Sequence, residues 1–228
     1  AAATGLPILS SYRQVYAEDI KTVGASFSTA YGPFNFAGET SVRWNAPLVS
    51  NLQVVTPGTA ADNNGDALYA KGKTAHVNLS TIYLLSPGAL WDGGSVLAEL
   101  AWNRTLSVTD NPGALDPNTT RDATALRVLA EPTYFQVADG LDVSVPVGFG
   151  VGLDGRSSAV SKGGFGNSHA GDWSVGLKAT YLQRWDFGIN YVNFFGKAAA
   201  GLNEAGNFSY AQSLADRDFV SMYVKTTF

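Results

Sequence analysis

Residues 141–153 read Leu141-Asp142-Val143-Ser144-Val145-Pro146-Val147-Gly148-Phe149-Gly150-Val151-Gly152-Leu153. Every odd position is apolar, and every even position is Asp, Ser, Pro or Gly. Successive side chains of a β-strand point to opposite faces, so this segment makes a ribbon with one greasy face and one small or polar face. It runs for about thirteen residues, where strands of soluble domains usually have about five or six.

The same period of two recurs along the chain. It is strong in 34–45, 74–85, 173–182 and 187–195 and weaker in 22–31, 95–108, 123–136 and 218–228. That predicts about nine strands and no amphipathic helix. The connections alternate in length. Those at 31–33, 86–94, 138–140 and 184–186 are short, whereas 46–72, 109–122, 154–171 and 197–217 are long and rich in Gly, Asn, Asp, Ser and Ala, as solvated loops are.

Composition narrows the architecture. The chain has 228 residues, of which 15% are charged, 45% hydrophobic and 12% aromatic, with 25 glycines. An ordinary soluble domain has roughly 25% charged residues, and a disordered chain would be charge-rich and aromatic-poor. No apolar run approaches the roughly 18–20 residues that a membrane helix needs. The net charge of −4 lacks any basic block, so nucleic acid is not an expected partner. With no cysteine and two histidines, no thiolate or histidine-rich metal site is expected, and no cofactor.

Long two-faced strands fit a soluble sandwich, with the apolar face inward, or an antiparallel transmembrane β-barrel, with the apolar face towards lipid. Strand length, the short/long alternation and aromatics near strand ends (Trp44, Trp91, Trp102, Trp173, Trp185, Tyr31, Tyr83, Tyr134 and Tyr191) favour the barrel. The last strand carries Val220, Met222 and Val224 in alternation and closes on Phe228, which resembles the signal by which outer-membrane barrels are recognised for insertion; Thr226, third from the end, departs from it.

With Phe228 on the periplasmic side, all four long loops fall outside, and the lead-in 1–19 starts outside as well. A complete bacterial barrel has an even strand count with both ends periplasmic. Either 6–16 supplies a tenth strand, or the chain is the C-terminal part of a larger barrel. The poor alternation of 6–16 favours the second.

Several stretches, among them Tyr16-Ala17-Glu18-Asp19-Ile20, Ala130-Glu131-Pro132-Thr133-Tyr134 and His169-Ala170-Gly171-Asp172-Trp173, resemble the C-terminal part of a proteobacterial outer-membrane β-barrel family catalogued as a domain of unknown function (thirteen-oh-two). The resemblance covers nearly the whole chain. It implies a longer parent barrel, no catalytic residues to transfer, and a loose association with hydrophobic compounds and with envelope transporters.

Parity assigns the wet face. Its polar members are Glu39, Arg43, His76, Glu99, Arg127, Glu131, Asp142, Lys178 and Lys225, both signs mixed, as charges that satisfy one another in a wet lumen would be. The same parity collects Ile82, Leu84, Leu97, Leu129 and Phe135, an apolar lumen floor that could pack against a plug or line a path for an apolar solute. His76 shares its face with Ser80, but residues at such spacing lack the mutual contact and the orienting third group of a serine hydrolase, so no enzyme is expected.

The expected function is an outer-membrane channel passing small molecules of hydrophobic or mixed polarity by diffusion. The alternative is a structural or docking barrel of an envelope transport complex. Expected partners are outer-membrane lipids, the barrel assembly machinery and the upstream strands.

Overall fold

The structure, a computed structural model, describes residues 15–56, 58–63, 65–161, 165, 167–204 and 207–227. The described strands are β1 (Lys21–Tyr31), β2 (Phe34–Pro47), β3 (Lys71–Leu84), β4 (Gly93–Asp110), β5 (Asp122–Ala138), β6 (Leu141–Ser144), β7 (Val147–Gly155), β8 (Gly171–Tyr181), β9 (Trp185–Phe195) and β10 (Phe219–Thr226). They form one antiparallel meander in which each strand pairs with its neighbours in sequence, except that β6 and β7 do not pair with each other and both lie between β5 and β8.

β6 and β7 are two halves of one ribbon. Ser144 faces Lys178 and Val147 faces Val175, a step of three residues on both strands, so the register against β8 does not slip. Pro146 causes the break, because it has no N–H to give the ladder. Its carbonyl still accepts from Gly176, and Val145 still donates to Pro132. The alternation of 141–153 therefore holds across the break, and the sheet has nine ribbons side by side.

Among the described residues no second layer covers the apolar face. Along β8, Trp173, Val175, Leu177 and Tyr181 are exposed, while Ser174, Gly176, Lys178 and Thr180 on the other face are half-buried. Buried hydrophobic residues are few (Leu48, Val49, Ala67, Ala70, Ala170 and Tyr210 among them), and these six lie in connections rather than strands. A sandwich would bury the apolar face against a partner sheet; here that face is bare.

Aromatic side chains gather at the two ends of this face. Phe34, Phe36 and Tyr83 stack near the short turns, as do Trp185 and Phe187. Phe149 stacks on Phe195 and Trp173 meets Tyr191 edge-on towards the long connections. Trp91 is instead in the turn between β3 and β4, where its indole donates to the Ser86 carbonyl.

β1 and β10 form the sheet edges, each with one neighbour among the described residues. Both run from the long-connection end to the short-turn end, so they point the same way. Val15 and Tyr16 lie outside the strands; the rest of the candidate strand 6–16 falls outside the described residues, as does Phe228.

Candidate functional site

Directly opposed residues of antiparallel strands share a face, so the register fixes which side chains stand together. One row across the polar face is Ser41–His76–Asn103–Ala123. The next is Glu39–Asn78–Ala101–Ala125–Gly152, followed by Ser80–Glu99–Arg127–Gly150–Asp172–Phe194. Below them run Ile82–Leu97–Leu129–Gly148–Ser174–Val192–Phe219 and, nearest the short turns, Asp142–Thr180–Asp186–Lys225.

Two ion pairs lie across an intervening strand. Arg127 on β5 donates through both terminal nitrogens to the Asp172 carboxylate on β8, at 3.2 Å each. β7 passes between them, and it can do so because Gly150 has no side chain: a Cβ there would stand 2.7 Å from Arg127 Nη1 and 3.3 Å from Asp172 Oδ1. Lys178 on β8 likewise donates to both oxygens of Glu131 at 2.9 Å, and Ser144 Oγ between them adds a 2.9 Å bond. These groups are partly exposed, so each pair stabilises the fold by no more than about 1 kcal/mol. Their larger effect is to neutralise two of the cations on this face.

Glu39, Arg43, Glu99, Asp142 and Lys225 have no ion-pair partner among the described residues. Glu99 accepts from the Asn78 amide at 2.9 Å, and Asp142 accepts from the Gln136 backbone N–H at 2.9 Å. His76 Nε2 lies 2.9 Å from Thr74 Oγ1, and no carboxylate orients its ring among the described residues. That is short of the three-group arrangement an activated hydroxyl nucleophile needs.

The apolar residues expected on this face do share it. Ile82, Leu97 and Leu129 are opposed in a single row, with Leu84 and Phe135 nearer the short turns. Leu84 and Phe135 are more than half exposed. Phe135 sits at a bulge where Gln136 has φ 49°, and its N–H is held by Asp92 at 2.8 Å. Val220, Met222 and Val224 stand on the opposite, bare apolar face.

The described residues of the long connections 48–70, 111–121, 156–170 and 196–218 fold together over the polar face. Five neighbouring strands and two of these connections line one cavity of about 660 Å³, bounded by Glu99, Arg127, Asp172, Phe194, Phe165 and Gln212. A second, of about 480 Å³, lies under 156–170 against β1–β4.

Asp116 ties the connections to one another. It is fully buried, accepts from the backbone N–H groups of Asn118 (2.8 Å) and Phe208 (3.0 Å), and gives its own N–H to Val49 (3.0 Å). Asn118 donates to the Phe208 carbonyl, and Ser158 Oγ donates to the Thr120 carbonyl while lying 2.7 Å from Thr105 Oγ1. Burial and the Asp116 carboxylate push the Tyr210 phenol above its ordinary range, against the pull of Arg156.

The sequence predicts solvated loops, and much of the described connections is exposed as expected, but Asp116, Ser157, Ser158 and Gln212 depart from that by being buried. Asp172, Asn103, Asp116 and Ser157 are the members of this arrangement that sequence parity did not single out. Asp172 is the second residue of β8, one residue before the alternation becomes visible, and Asp116 has no periodic neighbours at all.

A chain built this way is an all-β protein of one long-stranded antiparallel sheet, apolar on one face and polar on the other. It belongs to the family described as protein of unknown function (DUF1302), whose model matches residues 3–228. No curated protein and no solved structure matches it.

Proposed function

We propose that this chain forms part of the wall of a bacterial outer-membrane β-barrel through which small molecules of hydrophobic or mixed polarity diffuse. The observation that carries this reading is the bare apolar face with aromatics at both ends. β9 has 11 residues, roughly 36 Å at about 3.3 Å per residue, which a tilt of about 40° shortens to roughly 28 Å. That is close to the apolar band of about 25 Å on outer-membrane barrels.

Among the described residues the edges β1 and β10 carry unpaired backbone, which lipid does not tolerate. Because they point the same way, antiparallel closure takes an odd number of further strands between them. Lipids contact the outer face, and Val220, Met222 and Val224 present the strand that the assembly machinery reads. Inside, Glu39, Arg43, His76, Glu99, Arg127, Glu131, Lys178 and Lys225 line the lumen, with Ile82, Leu84, Leu97 and Phe135 as its apolar floor.

The interlocked connections favour a second reading, because they fill the outer mouth: a structural or docking barrel that serves an envelope transporter and passes nothing. Planar-bilayer recording separates the two. The channel reading expects current and solute-dependent swelling of vesicles; silence in both supports the docking barrel. If the floor is a solute path, Leu84→Asp and Phe135→Asp slow apolar solutes while assembly is kept. Loss of assembly instead would mean that those side chains face lipid.

A further inference from the structure

Three of the long connections meet around a cavity of about 280 Å³ that has no strand residue in its lining. Leu52 comes from the β2–β3 connection, Asp116 from the β4–β5 connection, and Leu202 and Phe208 from the β9–β10 connection. The local backbone sets this arrangement. Leu202 and Phe208 are bridged as an antiparallel pair, so their side chains share a face. Phe208 is fixed at both of its backbone groups: its N–H donates to Asp116 (3.0 Å), and its carbonyl accepts the Asn118 amide (2.9 Å). Asn51, next to Leu52, is held to the β4–β5 connection by its N–H bond to the Ala114 carbonyl (2.9 Å).

The walls are almost wholly apolar surface. The one charged residue among the described lining, Asp116, is fully buried with both oxygens engaged by backbone N–H groups, so an occupant meets no charge. The rim is open to solutes, because Leu52 is 79% exposed and Leu202 45%. Val54, two residues on from Leu52, is 86% exposed. Large apolar side chains left bare on a hydrogen-bonded polar cap mark a place where something apolar binds. Size narrows the class. An apolar cavity of about 150 Å³ lined by Leu, Ile and Phe takes up benzene, so the larger space here holds a molecule of one or two rings.

We propose that this cavity is a binding site for small uncharged hydrocarbons, with Phe208 and Leu202 as its wall and Leu52 as its rim. Ser213 lines both this cavity and the one of about 660 Å³ against the sheet, so the two spaces meet at that residue. Its neighbour Gln212 donates to the Gly171 carbonyl (2.9 Å), which ties the shared wall to β8. Taken with the diffusion reading above, on which this role rests, the cavity is the outer station of the solute path, and it makes uncharged apolar molecules the class admitted there. Binding itself is measurable without any passage of solute.

The test uses the full chain in lipid nanodiscs and a photoreactive toluene that carries a diazirine, with the labelled positions mapped by mass spectrometry. Labelling at Leu52, Leu202 and Phe208 saturates, and plain toluene displaces it. Benzoate and benzylammonium, of similar shape but charged, do not. Labelling at Leu177, on the bare apolar face of β8, does not saturate and serves as the reference for probe dissolved in lipid. Leu202→Asp and Leu52→Asp, both at exposed side chains, set a carboxylate in the wall and at the rim; each weakens the probe, Leu202→Asp by about tenfold or more. Leu90→Asp, at an exposed side chain of the β3–β4 turn, changes nothing. Heat-modifiable mobility shows that each variant has folded. Labelling that is absent at the three positions, that rises without saturating, or that the charged analogues displace as well as toluene overturns the proposal, and so does unchanged affinity in both Asp variants. Saturable labelling in a chain that carries no current keeps the site and removes the channel reading; current without such labelling does the reverse.

Discussion

The sheet and the connections above it treat large apolar side chains in opposite ways. In the strands, large apolar side chains such as Val23, Leu177, Ile189 and Met222 stand exposed on one face. In and beneath the connections, the largest fully buried side chains are polar (Asn103, Thr74, Asp116 and Ser158), and the few buried apolar ones, Leu48, Val49 and Tyr210 among them, lie beside these. A soluble domain does the reverse, because water drives apolar groups inward. The inversion makes sense when the solvent of the sheet is itself apolar and only the polar face and its cap meet water. On the proposed reading, hydrogen bonds hold the cap, whereas the sheet would depend on backbone pairing and on lipid.

The contrast breaks most visibly if the apolar face is charged. Leu177→Arg, in the middle of β8, is expected to cost about 2–4 kcal/mol of folding stability in bilayers, read as loss of heat-modifiable mobility on gels. Ser174→Arg, on the polar face of the same strand, is expected to leave that mobility unchanged. A similar loss from both would erase the distinction between the faces.

The cap should fail independently of the sheet. Asp116→Ala strands the N–H groups of Asn118 and Phe208 and is expected to loosen the connections by about 1–3 kcal/mol. Limited proteolysis should then cut within 48–70 and 196–218 while heat-modifiable mobility persists. Smaller still is the Arg127–Asp172 pair. A double-mutant cycle should give a coupling of about 0–1 kcal/mol, and Gly150→Ala, which pushes a methyl against that pair, should reduce the coupling further.

The smallest effect is set by pH. Asp218, just before β10, accepts from the Phe194 backbone (3.0 Å), the Asn193 amide (2.6 Å) and the Tyr191 hydroxyl (3.1 Å). The backbone and amide bonds hold its carboxyl below the usual carboxylate range. A lowered folded pKa means that this clasp stabilises fully above the unfolded value of about 3.9 and is lost as pH falls through the folded value. The protection of the Phe194 amide, its exchange rate corrected for the intrinsic pH dependence, should therefore fall in acid, and Asp218→Asn should remove that change in protection.

The strands were legible in the sequence because their period of two is enforced on both faces at once. Even Pro146 left the pattern of 141–153 readable, since the break shifts no register. The polar face followed from the same parity, which is how Arg127, Glu131 and Lys178 could be placed together before any distance was known. The cap was not legible. Asp116 reaches Phe208 across 92 positions of sequence, and Asn103 meets Ser157 across 54, with no periodicity linking them. Gly, Ser and Asn in a long connection read as solvated turn formers, and the same small side chains also suit the tight polar packing seen here.

Because the sequence contains no cysteine, single cysteines can be introduced one at a time along β8, labelled with a fluorophore, and probed in bilayers with lipid-soluble and water-soluble quenchers. The account predicts alternation: labels at Val175, Leu177 and Ala179 are quenched from lipid, and those at Ser174, Gly176 and Lys178 from water. Labels at the first three positions that neither quencher reaches, or that water reaches as readily as the second three, would contradict it.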